Sequence, residues 1–209
     1  LEDCTHASEL DPQNVDAIAE RANAHYARNE YDLAIENAQK ALALSPNLAY
    51  ANAVIGFASF EKGDSKAALD AFDKTLAADP NFASAYNGRA EVLMKENKYD
   101  AAMAEIENAI RVDPKFSLNY SGRGNVLLAK GDVEGAIKEF DTAISLDIQN
   151  GDAFLGRGRA FAKLGKPDKA LADLQETLVK YRATSRIQKL AAQEIAKLGN
   201  VEVATTPVE

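Results

Sequence analysis

Few residues in this sequence are of a type and spacing that could do chemistry. Cys4 and His6 are two positions apart, where a thiol and an imidazole could form a nucleophile and its base. On a helix such neighbours point to different sides, so the pairing fails. Cys4 also falls on an apolar, core-forming position, and a packing cysteine is the expected role. His25 sits in a packing position too and reads as a hydrogen-bonded filler. Gly122-Arg123-Gly124 and Gly156-Arg157-Gly158-Arg159 resemble phosphate loops or arginine-glycine RNA-binding motifs. Both lie inside stretches of helical periodicity, follow no strand, and lack the third glycine of a dinucleotide fingerprint. One cysteine and two histidines leave no internal disulfide, no cysteine-based zinc site and too few ligands for other metal chemistry. No catalytic residue, cofactor or metal is expected.

Composition narrows the classes further. The 209 residues carry 24 basic and 32 acidic side chains, a formal charge of −8, with 46% hydrophobic and 27% charged residues. These proportions suit a folded protein of one domain or one short repeat array. The acidic balance argues against nucleic acid and anionic membrane surfaces, which select basic faces. No apolar run approaches the ~18–20 residues of a membrane span, and no signal peptide opens the chain. The only methionines are Met94 and Met103, so the sequence reads as a processed chain or a piece of a longer one.

Internal repetition settles the organisation. Pro12, Pro46, Pro80 and Pro114 recur every 34 residues, the next step falling on Ile148. At the same period run Ala34, Ala68, Ala102, Ala136 and Ala170, and the always-small series Ala22, Gly56, Ala90, Gly124 and Gly158. Ile35, Leu69, Met103, Ile137 and Leu171 form an aliphatic series, and Leu42, Leu76, Ile110, Ile144 and Leu178 another. Each unit reads as two helices. In residues 83–116, Tyr86, Ala90 and Leu93 have the spacing of a helix face. Glu96-Asn97-Lys98 breaks it, a second helix starts near Tyr99, and Asp113-Pro114 stops that one. Gly63-Asp64, Gly131-Asp132 and Gly165-Lys166-Pro167 mark the same turn elsewhere. The small column is expected to bring Gly or Ala against Ala, so that the helices of a hairpin approach closely.

A 34-residue helix-turn-helix with small, Ala, Ala and Pro columns resembles the tetratricopeptide repeat (TPR) family. The likeness covers 15–48, 49–82, 83–116, 117–150 and 151–184. It implies an all-α fold, a right-handed α-solenoid of stacked helical hairpins with a concave groove lined by first helices. Departures from the family pattern are His25 and Ser59 for a large aromatic, Ala38 for the second-helix aromatic, and Ile148 and Arg182 for proline. Residues 1–14 match only the second helix of a unit, leaving Leu1, Cys4 and Ala7 to be covered by an upstream segment or a second chain. Ser185 and Gln188 have capping-box spacing. Ile187, Leu190, Ala191, Ile195 and Leu198 then form the apolar stripe of a capping helix over 185–199, followed by a flexible tail at 200–209.

Arg21, Arg89, Arg123 and Arg157 share a first-helix column in which the second unit has Ile55. Ten residues before each arginine stands an aspartate (Asp11, Asp79, Asp113, Asp147), and ten before Ile55 stands Ser45. Pairing of each acid with its arginine is the expectation, the alternative being that Asp-Pro is simply a helix stop. The groove face is expected to include Asp16, Ala19, Asn23 and Tyr26, then Tyr50, Val54, Phe57 and Phe60. It continues through Asn87, Glu91, Met94 and Lys95, then Leu118, Ser121, Asn125 and Leu128, and finally Asp152, Leu155, Arg159 and Lys163. Tyr50, Val54, Phe57 and Phe60 form an apolar patch for an extended or helical peptide, unless Phe60 turns inward to compensate for Ser59. Asn23, Asn87 and Asn125 can hydrogen-bond a ligand's backbone or simply be solvated.

Some TPR proteins grip the carboxyl terminus of Hsp70 or Hsp90 with a Lys/Asn/Asn/Lys/Arg clamp spread over neighbouring repeats. Of the possible positions here only Asn23 matches, and no cation stands ready to neutralise a carboxylate. That partner is not expected. The sequence thus reads as a non-enzymatic scaffold that binds a peptide segment of a protein partner in a groove centred on the second unit. Its alternatives are a regulatory or targeting arm of a larger enzyme and a self-assembling homo-oligomer joined through the incomplete first repeat. The arginine-glycine style of the repeats resembles bacterial proteins, for which a soluble cytoplasmic or periplasmic location follows, with the compartment and the partner's identity unassigned.

Overall fold

A computed structural model describes residue 11, residues 13–180 and residues 186–204. Among these the chain is all helix and turn. The helices are α1 (Val15–Ala27), α2 (Tyr31–Leu44), α3 (Ala49–Glu61), α4 (Ser65–Ala78), α5 (Ala83–Lys95), α6 (Tyr99–Val112), α7 (Ser117–Lys130), α8 (Val133–Leu146), α9 (Gly151–Lys163), α10 (Pro167–Lys180) and α11 (Arg186–Ala204). Within each hairpin the turn needs one left-handed residue, which Gly63, Gly131 and Gly165 supply at φ 85°, 92° and 65°. Asn29 and Asn97 supply it in the other two hairpins at φ 62° and 59°, tolerable because asparagine accepts this region better than most side chains. Asp64 and Asp132 then cap the following helices, their carboxylates accepting from the N–H groups of Ala67 and Gly135. Between hairpins, Tyr86 and Tyr120 each donate their hydroxyl to the carbonyl of the proline six residues earlier, Pro80 and Pro114, at 3.2 and 2.8 Å.

Two compact units divide the chain after Asp113. In the first, α1–α2, α3–α4 and α5–α6 are antiparallel hairpins stacked in sequence order, second helix of one against first helix of the next. In the second, α7–α8 and α9–α10 stack in the same way and α11 packs on α9 and α10. This is the stacked-hairpin architecture of an α-solenoid. The alanine column is interior in each unit: Ala34, Ala68, Ala102, Ala136 and Ala170 are all fully buried.

In the small column Gly158 lies against Ala170 and Leu174, as the sequence suggests, whereas Gly56 and Gly124 meet an aromatic ring. A Cβ added at Gly56 would sit 2.5 Å from the Phe72 ring, and one added at Gly88 would collide with the same ring from the next hairpin. Phe140 lies likewise between Gly124 and Gly156. Both rings are fully buried. Each Phe therefore fills the space that two glycines vacate, and the helices are spaced by an aromatic ring instead of closing on alanine. In the first hairpin the ring position is Ala38, and the flanking residues are Ala22 and Val54, all three in one buried cluster. Volume is conserved by moving it from the second helix to its neighbour.

Leu155, Leu174 and Ala191 form the core under α11, with Ile187, Leu190, Ile195 and Leu198 packed against it. The helix runs through Gly199 to Ala204, beyond the stop at Gly199 and into the stretch expected as tail. One glycine costs a helix only about 1 kcal/mol relative to alanine, which is not a break. Gln188 donates to the Leu178 carbonyl at 2.9 Å, tying the start of α11 to α10. Leu1, Cys4, His6, Ala7, Pro12, Arg182, Ser185 and residues 205–209 lie outside the described residues. So do the half-repeat, the capping box and the proposed self-association surface built on them.

Candidate docking face

In the first unit, the residues of α1, α3 and α5 that share the outward face of their helices bring four aromatic side chains together. Phe57 stands on the buried Phe72, centroids 5.0 Å apart and rings at 71°, an edge-to-face contact. Tyr26 tilts against Phe57 at 6.1 Å and against Tyr31 at 6.0 Å. Phe60 packs on the cluster of Ala68, Phe72, Ala85 and Val92, with the Lys95 ammonium 5.6 Å from its ring centroid. Tyr50 donates its hydroxyl to Glu20 at 3.4 Å, which fixes the ring between α1 and α3. All four are half-buried, one side in the core and one side open. Ser59 is buried, and Phe60 is half-buried. Asn23, Asn87 and Met94 are half-buried on the same face, and Glu91 is exposed.

Val54 is not on this face. At 4% exposure it is inside, because Ala38 leaves a hole that only a neighbouring side chain can fill. Leu128 and Leu155, at 7% and 4%, are interior as well. Leu128 belongs to the core around Phe140, and Leu155 is covered by α11 as any first helix is covered by the next. In the second unit Leu118 is exposed and Asn125 half-buried. Arg159 is engaged by Glu194 of α11 at 3.1 Å, and Lys163 donates to the Leu128 carbonyl at 3.3 Å. The second unit thus brings together two cations that are already partnered, and no aromatic row.

The arginine column is structural, but its acids are not those expected. Arg89 binds Asp73 at 3.2 Å and Glu105 at 2.9 Å; Arg157 binds Asp141 at 2.6 Å and, through two nitrogens, Asp173 at 2.8 Å. Arg123 meets Glu139 at 2.7 Å, and the Arg21 Nε donates to the Asn37 amide oxygen at 2.7 Å. Asp79 and Asp147 instead accept from the N–H groups of Asn81 and Gln149 in their own turns. At these two positions the aspartate serves its own turn. The informative column was sixteen residues after each arginine: Asn37, Glu105, Glu139 and Asp173, with Ala71 opposite Ile55. Two residues in facing helices of a hairpin meet at that separation. Hydrogen bonding from Asp173 holds the proton on Arg157 more tightly than usual, Asp141 adding to it and burial opposing. Burial pushes the Glu105 carboxyl above its ordinary value, with Arg89 working the other way and Asp73 adding to the rise. Gly122 to Gly124 and Gly156 to Arg159 lie within α7 and α9, with Gly124 and Gly156 beside Phe140 and the arginines in ion pairs. His25 Nδ1 is 2.6 Å from the Glu30 carboxylate, a local tie across the first turn.

Among the described residues no group of three or more potential ligands is placed to hold a metal, and no helix is long and apolar enough to cross a membrane. Stacked hairpins with a repeating interior and a variable outer face define a helical-repeat protein. Models of tetratricopeptide repeats match residues 15–48, 59–121 and 152–184, and a TPR repeat model matches 124–165; the chain belongs to the tetratricopeptide repeat family. A search by sequence among functionally characterised proteins finds no match. Among solved structures, a thermophilic TPR protein of Thermus thermophilus superposes with a TM-score of 0.76 at 18% identity, over 87% of this chain and 99% of that one. YrrB, described as a TPR protein with an unusual peptide-binding site, gives 0.54 at 24% identity, over 91% and 96%. The Cut9–Hcn1 assembly of the APC/C gives 0.81 at 16% identity, over 95% of this chain and 39% of that one. At these identities the likeness is one of fold.

Proposed function

We propose that this chain is a non-enzymatic scaffold that docks a peptide segment of a partner protein on the first-helix face of its first unit, centred on α3. The observation that supports this reading is the aromatic row: Tyr26, Tyr50, Phe57 and Phe60 are held by core contacts on one side and present an edge on the other. Rigid aromatic rings with few rotors lose little entropy on binding and make good anchors. The family's general role as a protein-interaction scaffold agrees with it, and so does the peptide-binding site that YrrB is described as having. The groove positions that a chaperone-tail clamp would need hold the buried residues Ala19 and Ala53, which cannot grip a terminal carboxylate.

Phe57 is a poor residue on which to test the reading, because its removal also strips Phe72 of a core contact. Tyr26→Ala with Phe60→Ser spares that contact. In a pull-down, protein capture by the wild type and by a Leu118→Ser/Arg159→Ser control is expected to match. Capture by the first-unit variant is expected to be lost while its circular dichroism melt stays cooperative. Equal capture by both variants would move the site elsewhere.

A further inference from the structure

The aromatic floor of the first unit has an acidic rim. On the outward positions of α1 and α3 stand Asp16, Glu20 and Glu61, and on α5 stands Glu91; the cation among these positions is Lys95, which already covers Phe60. Asp16, Glu20 and Glu91 are exposed. Lys62, at the end of α3, pairs with Asp32 of α2. The corresponding positions of the second unit carry Asp152 against Arg159 and Lys163, so the acidic character belongs to the first unit and is not a general feature of the repeats. The whole chain carries −8, which adds a long-range field of the same sign.

Resting on the docking reading above, we infer that the occupant of this face is a cationic amphipathic segment: a stretch with an aromatic or aliphatic anchor flanked by Lys or Arg. The apolar anchor sits on Phe57 and Phe60, where a neutral side chain loses least on leaving water. The flanking ammonium or guanidinium groups meet the carboxylates of α1 and α5, and an arginine can also lie over the Tyr26 or Tyr50 ring. An acidic segment would place like charges together at the rim and is disfavoured. Because the rim carboxylates are exposed, their main effect falls on encounter and on partner choice.

A displayed library of random twelve-residue peptides, panned on the intact chain, tests this. Enriched peptides are expected to be net positive with at least one large apolar residue. Their synthetic forms should bind Phe60→Ser weakly, lose about tenfold in affinity for Glu91→Lys/Asp16→Lys, and weaken as salt rises from low to physiological strength. Peptides that depend on Phe60 yet are neutral or acidic, or that ignore the charge reversals, overturn the charge inference and leave the docking face standing. Peptides indifferent to both sets of variants, or no enrichment at all, overturn the docking reading and this inference with it.

Discussion

Phe72 in the first unit and Phe140 in the second hold the same place in their repeats, and each ring lies between two glycines of adjoining first helices. The outer faces of those first helices share nothing comparable. In the first unit they carry an aromatic row and carboxylates; in the second, the exposed Leu118 and two partnered cations. Packing holds the interior to a fixed sum of volumes, whatever the unit, because a buried ring tolerates neither void nor overlap. The outer face is under no such constraint, and there the units diverge. Divergence on a conserved frame is where recognition is to be sought in a repeat protein.

The largest effects should be common to both units. Phe72→Ala and Phe140→Ala each leave a cavity between glycines that cannot fill it, and each is expected to cost about 3–5 kcal/mol in urea unfolding. A small loss at one site and a large one at the other would show that the two sandwiches are not equivalent. Arg157→Ala should follow closely. It strands Asp173, which is only 6% exposed, and deleting one partner of such a pair costs roughly 3–5 kcal/mol. Arg89→Ala is expected to cost less, since Asp73 is largely exposed and Glu105 can take up a proton. Equal losses in the two variants would erase this difference between the units.

Ala38→Phe converts the first hairpin toward the arrangement of the second, but Val54 already occupies the space. Overpacking of about 1–3 kcal/mol is expected. Adding Val54→Gly should show favourable coupling with it in a double-mutant cycle; strict additivity would mean that the two side chains do not compete for one hole. The smallest effect concerns pH. The folded-state carboxyl of Glu105 lies above its ordinary value of 4.5, so the folded protein binds this proton more tightly than the unfolded chain does. The associated stability is present at low pH and is lost as pH rises from the ordinary carboxylate value through the raised one. Stability relative to Glu105→Gln should therefore fall across that window, and parallel pH profiles would remove the assignment.

The turns, helix ends and hairpin order were legible because they depend on local spacing. A proline past the first turn stops a helix, a left-handed glycine or asparagine turns the chain, and a 34-residue recurrence repeats the result. The outward placing of Tyr26 on α1 and of Tyr50, Phe57 and Phe60 on α3 follows from helical spacing too. Val54, Leu128 and Leu155 were placed on that face as well, and here local periodicity was insufficient. A first helix of a stacked hairpin is covered on more than one side, so its face is narrower than an amphipathic stripe suggests.

The arginines show the same division. Their regular column follows from the sequence, as does the need for acids near them. Which acids they meet is set by how two helices of a hairpin lie against each other, a relation that brings together residues sixteen apart. Ala38 and Val54 belong to the same case, one side chain too small and another turned inward to replace it. The chain's own order fixes what repeats along it, since backbone geometry acts between near neighbours. What fills a gap or neutralises a charge is decided only when distant side chains compete for one volume, and that competition exists only in the folded stack.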